Sequence, residues 1–136
     1  MLLSPSQITL AIKKILHHED VRVADLSVVF VTGQRMKALN KKYLNHNYAT
    51  DVLAFDFLHS SKQKKSSRPK ELSGEVIIST SAACHQAKVF HHSQKRELML
   101  YVVHGILHLL GFDDHAPSDI KRFRAREQKI LTFLNV

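Results

Sequence analysis

Apolar residues recur three and four positions apart at Ile8, Ile12, Ile15 and Leu16, behind Ser4 and Pro5 in N-cap and first-turn positions. The spacing predicts an amphipathic helix over residues 4–18, with Lys13 and Lys14 facing water. The run 25-DLSVVFVT-32 is β-branched and aromatic, bounded by Asp25 and Gly33, and too short for a buried helix; it predicts a strand. Met36, Leu39, Asn40 and Tyr43 return to helical spacing over residues 34–43. Beyond the polar loop 44-LNHNYAT-50, the run 51-DVLAFDF-57 predicts a second strand, and 74-GEVIIST-80 a third. A helix from Ser79 or Thr80 carries Ala82, Ala83, Ala87 and Phe90. Another starts near Ser93 and stays apolar on nearly every side as far as Leu110, so it is expected to be central. Gly111 supplies its left-handed stop. A last helix from about Pro117 and Ser118 packs Ile120, Phe123, Ile130, Leu131 and Leu134. Strands and helices alternate irregularly, without an internal repeat or a dividing linker. The pattern predicts one α+β domain over residues 1–136, a small mixed sheet packed with helices.

Composition narrows the class. A chain of 136 residues is long enough to bury a core unaided, and its one cysteine, Cys84, excludes an internal disulfide framework, which fits a reducing, cytoplasmic setting. Pro5, Ser6 and Gln7 interrupt Leu2 and Leu3, so no signal peptide is expected. The longest apolar stretch, 98-LMLYVVHGILHLLGF-112, falls short of the roughly eighteen residues of a membrane span and contains two histidines. Twenty Lys and Arg against twelve Asp and Glu give a formal charge of +8, a balance suited to a phosphate-bearing partner or simply to solubility. The segment 59-HSSKQKKSSRPKE-71 reads as a solvated loop or as a basic flap over a nucleic-acid groove.

The chemistry concentrates in 104-HGILHLLGFDDH-115. Residues four apart share a helix face, so His104 and His108 can aim two imidazoles at one ion. Two polar rings in the most apolar helix of the chain need partners, and a metal with its outer hydrogen bonds supplies them. After the stop at Gly111, Phe112 can fill the core while Asp113, Asp114 and His115 turn back toward the pair. Three protein donors and an open fourth position are the pattern of a catalytic zinc. Metalloproteases of the H-E-x-x-H type carry a glutamate base after the first histidine; this chain has Gly105 there, which argues against a standard peptidase.

The same stretch resembles the H-G-x-L-H-L-x-G-[YF]-D-H signature of the YbeY family of metal-dependent endoribonucleases. Upstream, 39-LNKKYLNHNYATDVLAFDF-57 is similar to the family's L-N-x-x-Y-R-x-x-D-x-x-T-D-V-L-S-F segment, and 72-LSGEVIIS-79 resembles its L-G-D-[IL]-V-I strand. The resemblance implies a zincin-like α+β domain with the metal site on a central helix, one zinc ion per chain and cleavage of single-stranded RNA. It also implies maturation of the 3′ end of small-subunit (16S) rRNA and ribosome quality control, with the small ribosomal subunit and its assembly proteins as partners. Matched residue by residue, His104 and His108 are the first two ligands. The third falls on Asp114 by ungapped counting, but the nearby histidine is His115, which is favoured because imidazole suits zinc. The family arginine after the second block's tyrosine is Leu44 here, and its aspartate is Asn47. Lys41, Lys42 and His46 are then the nearest cations for a phosphate. Thr50 and Asp51 match the family; Glu75 replaces its aspartate.

On that basis the expected reaction is phosphodiester cleavage by a metal-bound water whose pKa is lowered to about 7. Lys121, Arg122, Arg124 and Arg126 on the last helix would add salt-sensitive RNA affinity. Two other classes stay open: an RNA- or ribosome-binding factor with a structural zinc, favoured by Leu44, and a metal-dependent hydrolase of another substrate.

Overall fold

The computed structural model describes residues 3–44, 51–58, 71–112 and 114–136. His46, Asn47, Thr50, Asp113, the basic segment 59–70 and the side chain of Leu44 lie outside the described residues. Helix α1 (Pro5–His18) opens with a reciprocal capping box, in which Ser4 Oγ accepts from the Gln7 N–H and Gln7 Oε1 from the Ser4 N–H. Ile8 and Ile15 face inward from it. There follow β1 (Val23–Val31), α2 (Gly33–Leu44), β2 (Val52–Asp56), β3 (Glu71–Ser79), α3 (Thr80–Val89), α4 (Gln94–Leu109) and α5 (Pro117–Phe133).

The sheet has the order β1-β3-β2. β3 runs parallel to β1, from Val23↔Glu71 to Val31↔Ser79, and antiparallel to β2, from Val52↔Ile78 to Asp56↔Gly74. β3 therefore begins three residues earlier than its apolar run predicts. Pairing with the full length of β1 draws in Glu71 and Ser73, a tertiary demand that periodicity within the run does not contain.

Alternation along β2 and β3 divides the apolar side chains between two faces. Val76 and Ile78, with partly buried Val52 and Ala54, join the main core under α4. Leu53 and Ile77, with partly buried Phe55, form a smaller cluster with Met36 and Leu39 of α2. Helices α2 and α4 thus cover opposite faces. Tyr43 and Phe90, both in register with apolar helix positions, are exposed; Tyr43 packs edge-on against Phe55, and Phe90 is the C-cap of α3.

Helix α4 is the central element, most of its sixteen residues being buried. Its closeness to the sheet is set by two glycines. A Cβ on Gly105 would overlap the Val76 side chain, and one on Gly74 would meet the Phe55 carbonyl oxygen and press on Leu109. Among the described residues no helix is long and apolar enough to cross a membrane.

The α1 and α5 helices are joined by a buried ion pair that the sequence did not announce. Glu19, fully buried at the end of α1, accepts from Arg126 Nε at 2.8 Å and from Arg126 Nη2, and lies 2.9 Å from His18 Nδ1. Arg126 is thereby committed to holding the fold, and Arg122 pairs with Asp119 one turn away on the same helix. The other two cations singled out on α5, Lys121 and Arg124, are exposed.

The Gly105–Val76 contact gives a direct test. Alanine in place of glycine gains about 1 kcal/mol of helix propensity, but overpacking costs up to about 3 kcal/mol. Gly105→Ala is expected to lower the unfolding free energy by about 1–2 kcal/mol in urea titrations. The cost of Val76→Ala should shrink in that background; strictly additive costs would place the seat of α4 elsewhere.

Candidate metal centre

The site is built where α4 ends and the chain turns back into α5. Gly111 takes φ 94°, its N–H donates to the His108 carbonyl at 3.0 Å, and the Phe112 N–H donates to Leu107 at 3.1 Å. These two bonds form a Schellman motif, which satisfies the last carbonyls of α4 and reverses the chain. Phe112 then packs against Phe123, ring centroids 6.4 Å apart and nearly perpendicular. Pro117 starts α5 at its first turn, so the segment between the two helices is short and pinned at both ends.

His104 and His108 emerge on one flank of α4, about one-third exposed, their Nε2 atoms 3.0 Å apart. The ring of buried Phe123 supports both, with centroids at 4.7 Å from His104 and 4.9 Å from His108. Glu127, one turn along α5 and buried, places Oε2 2.9 Å from His104 Nδ1. An ionised carboxylate is an acceptor only, so His104 carries its proton on Nδ1 and turns the Nε2 lone pair toward His108. A carboxylate behind a histidine is the outer partner that fixes the ring of a metal ligand and raises its basicity.

Burial, followed by the electrostatic influence of the neighbouring His104 ring, holds the His108 imidazole below its ordinary pKa; Asp114 and Glu127 oppose the shift and His115 adds to it. A neutral ring is the form that can donate a lone pair to a cation. The Asp114 carboxylate lies 3.5 Å from His108 Nε2, and one donor atom from each of His104, His108 and Asp114 falls within 4.8 Å of the others. His115 is exposed and outside this group, although close enough to influence His108.

Zinc bound tetrahedrally by nitrogen and oxygen at about 2.0–2.1 Å needs donors roughly 3.3 Å apart. The 3.0 and 3.5 Å separations from His108 bracket that spacing, and the His104–Asp114 edge closes within 4.8 Å, so the chemistry of the donor set fits such an ion.

The other candidates lie apart from this group. Lys41 and Lys42 are exposed on the last turn of α2, across the sheet from α4, with the Lys42 ammonium 5.2 Å from the Tyr43 ring centroid. Asp51 lies at the start of β2, where its carbonyl accepts from Ser79 at 3.0 Å and its carboxylate makes a long contact of 3.4 Å with the Tyr101 hydroxyl. Burial first, then the Asp51 and Glu97 carboxylates, raise the Tyr101 pKa and keep the phenol protonated.

Glu127 is the residue the sequence reading missed. Its signal was available, because Phe123, Glu127, Ile130 and Leu131 fall on one helical stripe and a carboxylate in an apolar stripe requires a buried partner.

A mixed α+β fold with two imidazoles and a carboxylate grouped beside its central helix defines a candidate metalloprotein. Comparison with known proteins identifies the relatives. Residues 3–135 match the family model described as endoribonuclease YbeY. The endoribonuclease YbeY of Alkaliphilus oremlandii is 36% identical over 115 residues, covering 82% of this chain and 73% of its own. That of Salinibacter ruber is 32% identical over 120 residues, covering 88% and 76%. The solution structure of TM1509 from Thermotoga maritima superposes with a TM-score of 0.61 at 20% identity, over 96% of this chain and 83% of that one, a likeness of fold. The chain belongs to the endoribonuclease YbeY family.

Removing the Glu127 acceptor leaves a partly buried His104 N–H unsatisfied. Glu127→Ala is expected to cost about 1–3 kcal/mol of stability. In nitrogen-15 spectra of the metal-free protein, His104 should change from a single Nδ1–H tautomer to a mixture. An unchanged tautomer would show that Glu127 does not orient the ring.

Proposed function

We propose that residues 1–136 act as one zincin-like, zinc-dependent endoribonuclease domain that cuts single-stranded RNA in maturing the 3′ end of small-subunit rRNA and in ribosome quality control. The cytoplasm is the corresponding setting, with the small ribosomal subunit and its assembly proteins as partners. The observation that carries this reading is the pair of imidazole nitrogens 3.0 Å apart on α4, one of them backed by Glu127. Membership of a family named for endoribonuclease activity supports the substrate class.

One zinc ion would be held by His104 and His108, with a third donor from the turn after Gly111, where ungapped counting falls on Asp114 and the preference of zinc for imidazole favours His115. When bound, it supplies Lewis-acid polarisation of a phosphoryl oxygen and activation of water. The chain does the remaining work. Glu127 keeps His104 in the donor tautomer, and Phe123 closes the floor beneath both rings against solvent. Lys41 and Lys42, with His46 as the further sequence candidate, are proposed to bind the RNA backbone. Lys121 and Arg124 are the α5 cations open to the same role.

Gly105 bears on the choice of substrate. Its hydrogen sits against Val76, so the position that holds a glutamate base in H-E-x-x-H peptidases has no space for a side chain. Phosphodiester chemistry asks less of such a base, because phosphoryl transfer depends chiefly on positioning and charge stabilisation.

Leu44, in place of the family arginine, favours a second reading in which the chain binds RNA around a structural zinc with little turnover. The two readings separate in one assay. His104→Ala and His108→Ala proteins are expected to lose stoichiometric zinc, and their cleavage of a single-stranded RNA should fall to background. Full cleavage by either variant would refute the enzyme reading, while RNA binding without cleavage by the zinc-loaded parent would establish the alternative.

A further inference from the structure

The motif that the family resemblance supplies ends in Asp-His, whereas this chain has Asp113, Asp114 and His115. Either the extra residue is absorbed so that a histidine still reaches the metal, or the donor changes. The geometry points to a change: we propose that Asp114, not His115, is the third protein donor, so that this chain holds its cation between two histidines and a carboxylate where the family pattern implies three histidines. The inference rests on the metal reading above and specifies its ligand set.

Three observations carry it. The Asp114 carboxylate is 3.5 Å from His108 Nε2, close to the roughly 3.3 Å edge of a tetrahedral zinc site, whereas His115 falls outside the donor group. Both ends of the connecting segment are fixed, by the Schellman turn at Gly111 and by Pro117 at the first turn of α5. Exchanging Asp114 for His115 would therefore have to be accommodated between two anchored helix ends. Asp114 is also only about one-third exposed, at 32%, the same as His108, while His115 is exposed.

The change has a chemical consequence. Three neutral imidazoles leave a divalent ion with a charge of +2, and a carboxylate reduces it to +1, with Glu127 adding a second negative charge behind His104. A harder oxygen donor also widens the range of first-row divalent ions that the site accepts, compared with an all-imidazole set.

Cobalt(II) is a suitable probe, since its visible spectrum reports both occupancy and donor set. The full-length protein, Asp114→Asn and His115→Ala would be titrated with cobalt and, in competition with a chromophoric chelator, with zinc. Circular dichroism would check that each variant is folded. Asp114→Asn is expected to weaken binding by about 100-fold or more, beyond the loss typical of an outer partner, and to alter the cobalt bands. His115→Ala should bind within about twofold of the parent with unchanged bands. The reverse result, binding lost in His115→Ala and kept in Asp114→Asn, overturns this inference while leaving the metal reading intact. A parent protein that binds neither ion overturns both.

Discussion

The close seating of α4 on β3 is the constraint from which the rest of the site follows. Gly105 lets the helix settle onto Val76, and Gly74 lets Leu109 settle onto the sheet. A helix held at that depth buries its Ile106 and Leu107 completely and leaves only one flank for polar groups. His104 and His108 occupy that flank because they are one turn apart. Two positions without side chains thus locate two that carry chemistry.

The flank is completed by α5, which contributes a buried aromatic floor and a buried carboxylate from successive turns. This explains how histidines can stand in so apolar a helix: His104 has a partner at each nitrogen, Glu127 on one side and His108 on the other, and both rings keep about a third of their surface exposed. A second buried carboxylate, Glu19, binds α5 to the end of α1 through Arg126. Net positive charge is therefore a poor guide to which cations face a nucleic acid. Part of it neutralises the interior, and an arginine engaged from two nitrogens on a fully buried carboxylate is not free to leave for a phosphate.

Most of the architecture was legible because it rests on local rules. Ser4 and Pro5, the spacing of Ile8 and Ile15, the apolar run through Leu110 and the stop at Gly111 each fix an element or its boundary without help from the rest of the chain. What escaped was non-local. The extra residues of β3 come from pairing with β1, and the position of Lys41 and Lys42 across the sheet comes from which face α2 covers. Sequence proximity to a family block suggested phosphate contacts for those lysines but could not say on which side of the sheet they lie. The pairing of His104 and His108 was readable from spacing, whereas which residue of the following turn joins them depended on the path of the backbone, a property that residue types alone do not determine.

The parallel pairing of β1 with β3 makes the site depend on residues far apart in the sequence. Strands that meet as Val23↔Glu71 and Val31↔Ser79 are far apart along the chain, and closing so long a loop carries an entropic cost that local helices do not bear. Val76, the seat of α4, lies within the later strand. Until that strand is inserted between its two neighbours, α4 can meet α3 and α5 but has no sheet on which to seat. The flank that carries His104 and His108 thus takes its orientation from a strand pairing between parts of the chain far apart in sequence, where the closure cost of folding is concentrated.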